Sequence, residues 1–148
     1  MKTDNFNIVP KKGFGDLLFG ISVEKVIELA GQSDEVEDLE DNDGEYNTIV
    51  MNYWKNEYSA FFEGEDKSLL TCIETSNKEA SLFNKKIFDI KERDLIDLMK
   101  EHGYELSDSE EETWGEKRLS FETALMDFYY ENGKLLTINW GIRLTDIE

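Results

Sequence analysis

At 148 residues, with 39% apolar and 12% aromatic content, the chain is long enough for one packed domain and too apolar for global disorder. Its 34 acidic residues against 16 basic give a net charge of −18, which counts against direct binding of nucleic acid or an anionic membrane, since phosphates need neutralising by Lys and Arg. A single cysteine, Cys72, excludes an internal disulfide and fits a reducing compartment, and nothing approaches the ~18 consecutive apolar residues of a membrane span.

The first segment, "MKTDNFNIVPKK", has no apolar h-region, so a signal peptide is not expected and the cytoplasm is the default. "GFGDLLFG" (13–20) invites a phosphate-loop reading, but its glycine spacing fails G-x-G-x-x-G, no strand is predicted before it and no Walker lysine follows. The glycines read as a turn ahead of a helix. Ser22 is a good N-cap and Glu24 places acid in the first turn, where the helix dipole favours it. Val23, Val26, Ile27 and Ala30 then share one helical face, and Gly31 suits the C′ position.

From Asp34 to Glu45, eight of twelve residues are acidic, and the stretch reads as a solvated loop. Within it, "LEDNDGEYNTIV" (39–50) tests as a calcium loop. With Gly44 at the sixth position, Leu39 and Val50 fall at the first and twelfth, where an EF-hand needs carboxylate oxygens. No metal or cofactor is therefore expected. Strands are predicted near 47–55, 57–63 and 68–75, with Cys72 a small buried side chain in "SLLTCIET", and 81–90 contributes a further strand. A second helix runs from Glu92 to His102, with Leu95, Ile96, Leu98 and Met99 inward and Gly103 as its stop; His102 suits the negative end of the helix dipole better than catalysis. A second acidic loop, "SDSEEE" (107–112), follows, then strands near 115–123, 124–131 and 134–143, the last two joined by a tight Asn132-Gly133 hairpin.

The chain carries an internal repeat. "FGISVEKVIEL" (19–29) aligns with "FDIKERDLIDL" (88–98) at an offset of 69, and "NYWKNEYSAFFEGEDKSLLTCIE" (52–74) aligns with "LSFETALMDFYYENGKLLTINW" (119–140) at offsets of 68 slipping to 66. The expected fold is α+β: a single domain, 1–148, of two tandem helix-then-β-meander units (about 13–78 and 82–143), with the helices on one face of an antiparallel sheet and the other face left for solvent or a partner.

There is no G-x-S-x-G, H-E-x-x-H or Cys/His zinc spacing, and no carboxylate pair stands out from the acidic background, so no catalytic residue is expected. The remaining signal is acid plus aromatics, which suits an electrostatic landing surface for a basic protein. The candidate contact residues are Asp34, Glu35, Glu37, Asp38, Glu40, Asp41, Asp43 and Glu45 in the first acidic stretch and Asp108, Glu110 and Glu111 in the second. Trp54, Tyr58, Trp114 and Trp140 complete the set as aromatic anchors. Alternation puts Tyr53 and Trp54 on opposite faces, so one of the pair should face away from the helices.

The duplicated helix-plus-meander pattern opening on "FGISVEKVIELAGQSDE" resembles the β-lactamase-inhibitor-protein-like fold and the small outer-membrane-assembly lipoproteins that share its single unit. Gly20, Ser22, Val26 and Gly31 fit their G-x-[ST]-x-x-x-V-x-x-x-x-G-x-P pattern, while Ser33 stands where proline is usual. The resemblance implies a binding scaffold that seizes another protein with a concave sheet and loops. The secreted inhibitor's disulfides and the lipoproteins' N-terminal cysteine have no counterpart, so no target is carried over. A cytosolic acidic binder is also similar to bacterial immunity proteins, which neutralise a toxin, often a basic nuclease. The leading expectation is such an inhibitor, monomeric or homodimeric. A structural or dimerisation module of the same fold is the alternative, and an enzyme the third reading.

Overall fold

The computed structural model describes residues 5–40, 47–64 and 67–146. Helix α1 (Val23–Ala30) begins where Ser22 Oγ accepts the Lys25 N–H at 3.1 Å, and it ends at Gly31, whose φ of 84° lets its N–H reach the Ile27 carbonyl at 2.8 Å. Helix α2 (Glu92–Glu101) starts at Lys91 without a side-chain cap and stops at Gly103, at φ 89°. Leu95, Leu98 and Met99 are buried, and Ile96 packs at the core margin. His102 ends the helix, with Nδ1 3.0 Å from the Leu98 carbonyl and its ring stacked 3.7 Å from that of Phe83.

Thirteen strands join these helices among the described residues. Before α1 come β1 (Asn7–Val9), β2 (Gly13–Phe14) and β3 (Leu17–Leu18). After it come β4 (Glu35–Glu40), β5 (Asn47–Tyr53), β6 (Tyr58–Glu63) and β7 (Leu69–Thr75). The short β8 (Ser81–Leu82) and β9 (Lys85–Lys86) precede α2, and β10 (Asp108–Glu111), β11 (Glu116–Phe121), β12 (Met126–Glu131) and β13 (Lys134–Gly141) follow it. The strands form two sheets. The larger is antiparallel in the order β10-β11-β12-β13-β7-β6-β5-β4; the smaller runs β3-β2-β1-β8-β9, with β1 and β8 parallel. The class is α+β.

Two expectations need correction. The described parts of the acidic stretches are not loops: residues 35–40 and 108–111 are the two edge strands of the large sheet, while 41–45 lie outside the described residues. An edge strand with no buried face shows no apolar alternation, and charge along it discourages edge-to-edge pairing. The N-terminal region also contains strands. β1 precedes the glycine segment, and "GFGDLLFG" folds as the β2–β3 hairpin with Phe14 and Leu17 buried. Gly13 is required there, since a Cβ would sit 2.1 Å from the Leu17 carbonyl oxygen. At the other hairpin, Asn132 (φ 51°) and Gly133 (φ 84°) supply the two positive φ values that the sequence demands.

Register separates the faces of the large sheet. Met51, Ala60, Ile73, Trp140 and Met126 lie in one cross-strand row, and Tyr53, Tyr58, Thr75, Ile138, Phe128 and Leu119 in the next. All are buried. Both helices meet this face: the Tyr53 hydroxyl donates to the Gly31 carbonyl at 2.8 Å, and Lys117 reaches Glu92 at 2.9 Å. The small sheet packs here too. Trp140 Nε1 donates to the Gly13 carbonyl at 3.0 Å, and Phe14 meets Trp140 edge-on at 5.3 Å and Tyr58 at 5.5 Å. Full burial of each such ring stabilises the fold by about 1.5–3 kcal/mol.

Candidate functional site

Residues between those buried rows point the other way, onto a face that no described element covers. One row crosses all eight strands: Glu35, Asn52, Ser59, Glu74, Asn139, Asp127, Ser120 and Asp108. Every member is polar, and four are carboxylates. At about 4.8 Å between strands the row is roughly 34 Å long. Neighbouring rows add Glu37 beside Val50, Phe61 and Cys72, and Glu110 beside Arg118, Tyr129 and Thr137. Glu116 and Glu131 pair at the upper end, where Lys134 flanks them.

Hydrogen bonds hold these side chains in place. Asn52 Nδ2 donates to Glu35 and Glu37, both at 2.9 Å, and the Ser59 hydroxyl donates to Asn52 Oδ1. Arg118 Nη2 bonds Asp108 at 2.8 Å and lies 3.1 Å from Glu110, while its Nε is buried without a partner among the described residues. A groove of about 400 Å³ opens over β10–β13, where Glu74, Glu110, Glu116 and Glu131 surround Arg118 and Tyr129. Carboxylates outnumber cations in it, and Tyr129 lines it as a part-exposed ring. That composition is chemically suited to a cationic side chain.

Cys72, half-buried on this face, donates its thiol to Asn139 Oδ1 at 3.2 Å. Burial pushes its pKa from 9.0 up to about 12, helped by Glu74 and Glu63, so it stays a thiol and not a nucleophile. Burial, with Asp127 next, also raises the Tyr129 hydroxyl. Among the described residues, no group of three or more His, Cys, Asp or Glu is placed to hold a metal ion. No described helix is long and apolar enough to cross a membrane.

The structure divides the contact residues expected from the sequence. Glu35, Glu37, Asp108 and Glu110 belong to the open face; Asp38 and Glu111 project from the same edge strands to the other side. Asp34 accepts the Trp54 N–H at 2.9 Å. Glu40 contributes backbone to β4, and Asp41, Asp43 and Glu45, with the centre of the tested calcium loop, lie outside the described residues. Trp54 and Trp114 are 62% and 63% exposed. Their turns, β5–β6 and β10–β11, sit at the same end of the sheet, five strand spacings or about 24 Å apart.

Tyr58 and Trp140, expected as partner contacts, are core residues at 4% and 0% exposure, because alternation along β6 and β13 turns them onto the covered face. Sequence reading missed Glu63, Glu74, Asp127, Tyr129 and Arg118. Their signal was the outward phase of the alternation: "MDFYYE" buries Met126, Phe128 and Tyr130 and leaves Asp127, Tyr129 and Glu131 outside. No known protein family, no curated protein and no solved structure matches the chain.

Proposed function

We propose that the chain is a non-enzymatic binding module that holds a basic protein on its open sheet face, and that it serves as a cytosolic, immunity-type inhibitor of a basic toxin such as a nuclease. The observation that carries this reading is the polar row across all eight strands, with Glu35, Glu74, Asp127 and Asp108 spread along it. A nuclease surface built for phosphates is matched by a spread array of carboxylates better than by one acidic cluster. The net charge of −18 steers such a partner from a distance.

Two tandem repeats of a β-lactamase-inhibitor-protein-like unit account for this width. α1 with β4–β7 forms one unit and α2 with β10–β13 the other, and their meanders join through β7 and β13. Exchanging the units pairs Glu35 with Asp108 and Ser59 with Asp127, so duplication doubles a half-width acidic surface. Dimerisation through the large sheet is the weaker reading, because both of its edges are acidic and repel the same edges of a second copy.

The test is association kinetics with the basic protein retained from the native host at low salt. Its association rate should fall steeply as ionic strength rises from about 0.01 M to 0.15 M and the Debye length contracts from about 30 Å to 8 Å. The variant Glu74→Gln/Asp127→Asn/Glu131→Gln should associate several-fold more slowly while folding normally. Equal rates for variant and parent, or toxin activity undiminished by a stoichiometric excess of the chain, would remove the proposal.

A further inference from the structure

The first acidic stretch has a second property besides charge: it is an edge. β4 pairs only with β5 among the described residues, so its outer backbone N–H and C=O groups are left to solvent. Exposed edges are commonly shortened, bulged or covered. β4 is guarded by its charge alone, which repels acidic edges and not cationic ones, and runs six residues in unbroken register with β5. It also exposes one apolar side chain on each face, Val36 at 62% and Leu39 at 50%. The opposite edge differs: β10 has four residues, shows no apolar side chain, and has Asp108 and Glu110 already engaged by Arg118. No cation pairs with Glu35, Glu37 or Asp38 among the described residues.

We propose that β4 is a strand-addition site for an extended, lysine- or arginine-rich segment of the partner protein. The inference rests on the cationic-partner reading and adds the backbone mode of recognition. A strand placed about 4.8 Å outside β4 completes its ladder. Cross-strand neighbours then fall about 4.5–5.5 Å apart, so cations meet Glu35 and Glu37 on the open face and Asp38 on the other. Val36 and Leu39 give such a segment one apolar contact on each side. A second copy of this chain does not fit: in a symmetric antiparallel register centred on the strand, Glu37 would face Glu37, or Asp38 would face Asp38, of the second copy, and like charges directly opposite destabilise a sheet. The occupant is selected by charge, while the backbone bonds are indifferent to sequence.

The probe is a capped peptide, Lys-Val-Lys-Lys-Val-Lys, whose palindromic pattern matches β4 in either strand direction. Its control is the same peptide N-methylated at alternate residues, equal in charge but unable to complete a ladder. Affinity and amide hydrogen exchange are measured on the full chain at about 0.01 M salt. The unmodified peptide should bind about tenfold tighter than its twin, the effect of roughly one to two net backbone hydrogen bonds. It should slow exchange on β4, and Glu37→Gln/Asp38→Asn should weaken it. Equal, salt-sensitive affinity of the two peptides overturns strand addition and leaves the cationic-partner reading standing. No binding by either overturns both. Protection on β10 in place of β4 overturns the assignment to this edge.

Discussion

Replacing Trp140 separates its structural role from any contact role. The indole is 0% exposed, donates to the Gly13 carbonyl at 3.0 Å and meets Phe14 edge-on at 5.3 Å, tying the small sheet to the centre of the large one. Trp140→Phe keeps an aromatic ring in the slot and deletes one buried hydrogen bond, a cost of about 1–3 kcal/mol. Trp140→Ala also empties the slot, at about 3–5 kcal/mol. For a chain of this length 1 kcal/mol shifts the melting temperature by about 3 °C, so the variants should melt roughly 3–9 °C and 9–15 °C below the parent. Circular dichroism melts with parallel urea titrations measure this. In Trp140→Phe the remaining indoles are those of exposed Trp54 and Trp114, so acrylamide should quench almost all of its emission. A Phe variant melting within about 1 °C of the parent, or retaining shielded emission, would refute the keystone role.

Other outcomes follow from the same geometry. Gly13→Ala forces a Cβ to 2.1 Å from the Leu17 carbonyl oxygen and should destabilise by at least about 2 kcal/mol in urea titrations, whereas at Gly133, where nothing lies within 4 Å, the left-handed φ alone should cost about 1 kcal/mol. Raising salt from about 0.01 M to 0.15 M should raise the melting temperature, because screening relieves self-repulsion at −18. Cys72 should react slowly with a disulfide reagent near pH 8 and quickly once the chain is unfolded. Its raised folded pKa also fixes the sign of an alkaline effect: stability is intact below the ordinary thiol value of 9.0 and lost as pH climbs toward about 12, with Tyr53 adding to the loss between 10.0 and about 12. Cys72→Ala should flatten the first part of that slope in denaturation midpoints taken across the range.

Much of the fold is legible because local chemistry and tertiary placement agree. Ser22 and Gly31 bound α1, Gly103 stops α2, and Asn132-Gly133 turns the last hairpin, each for a backbone reason visible in the residue itself. The edges were hidden because β4 and β10 bury neither face, so the period-two pattern that betrays a strand is absent and charge imitates a loop. The small sheet was legible only as one strand over 81–90, which is in fact the short pair β8 and β9 followed by a helical turn at Ile87–Asp89; β2, β3, β8 and β9 are two residues each, too short to show any period. For the open face the information was present: the phase that buries Ile138 and Trp140 must turn Asn139 outward. What no local pattern supplies is the pairing of β7 with β13, which brings Glu74 alongside Asn139 and Asp127.

That pairing has a consequence for biosynthesis. The seam joins residues as far apart as Cys72 and Gly141, 69 positions along the chain. At about 5–20 residues per second, β13 leaves the ribosome roughly 3–13 s after β7. Throughout that interval "LLTCIET" is an unsealed strand with Leu70 and Ile73 facing a half-built core. The newborn N-terminal half is thus exposed to clamping by chaperones or pairing with a neighbouring nascent chain until its last partner strand arrives.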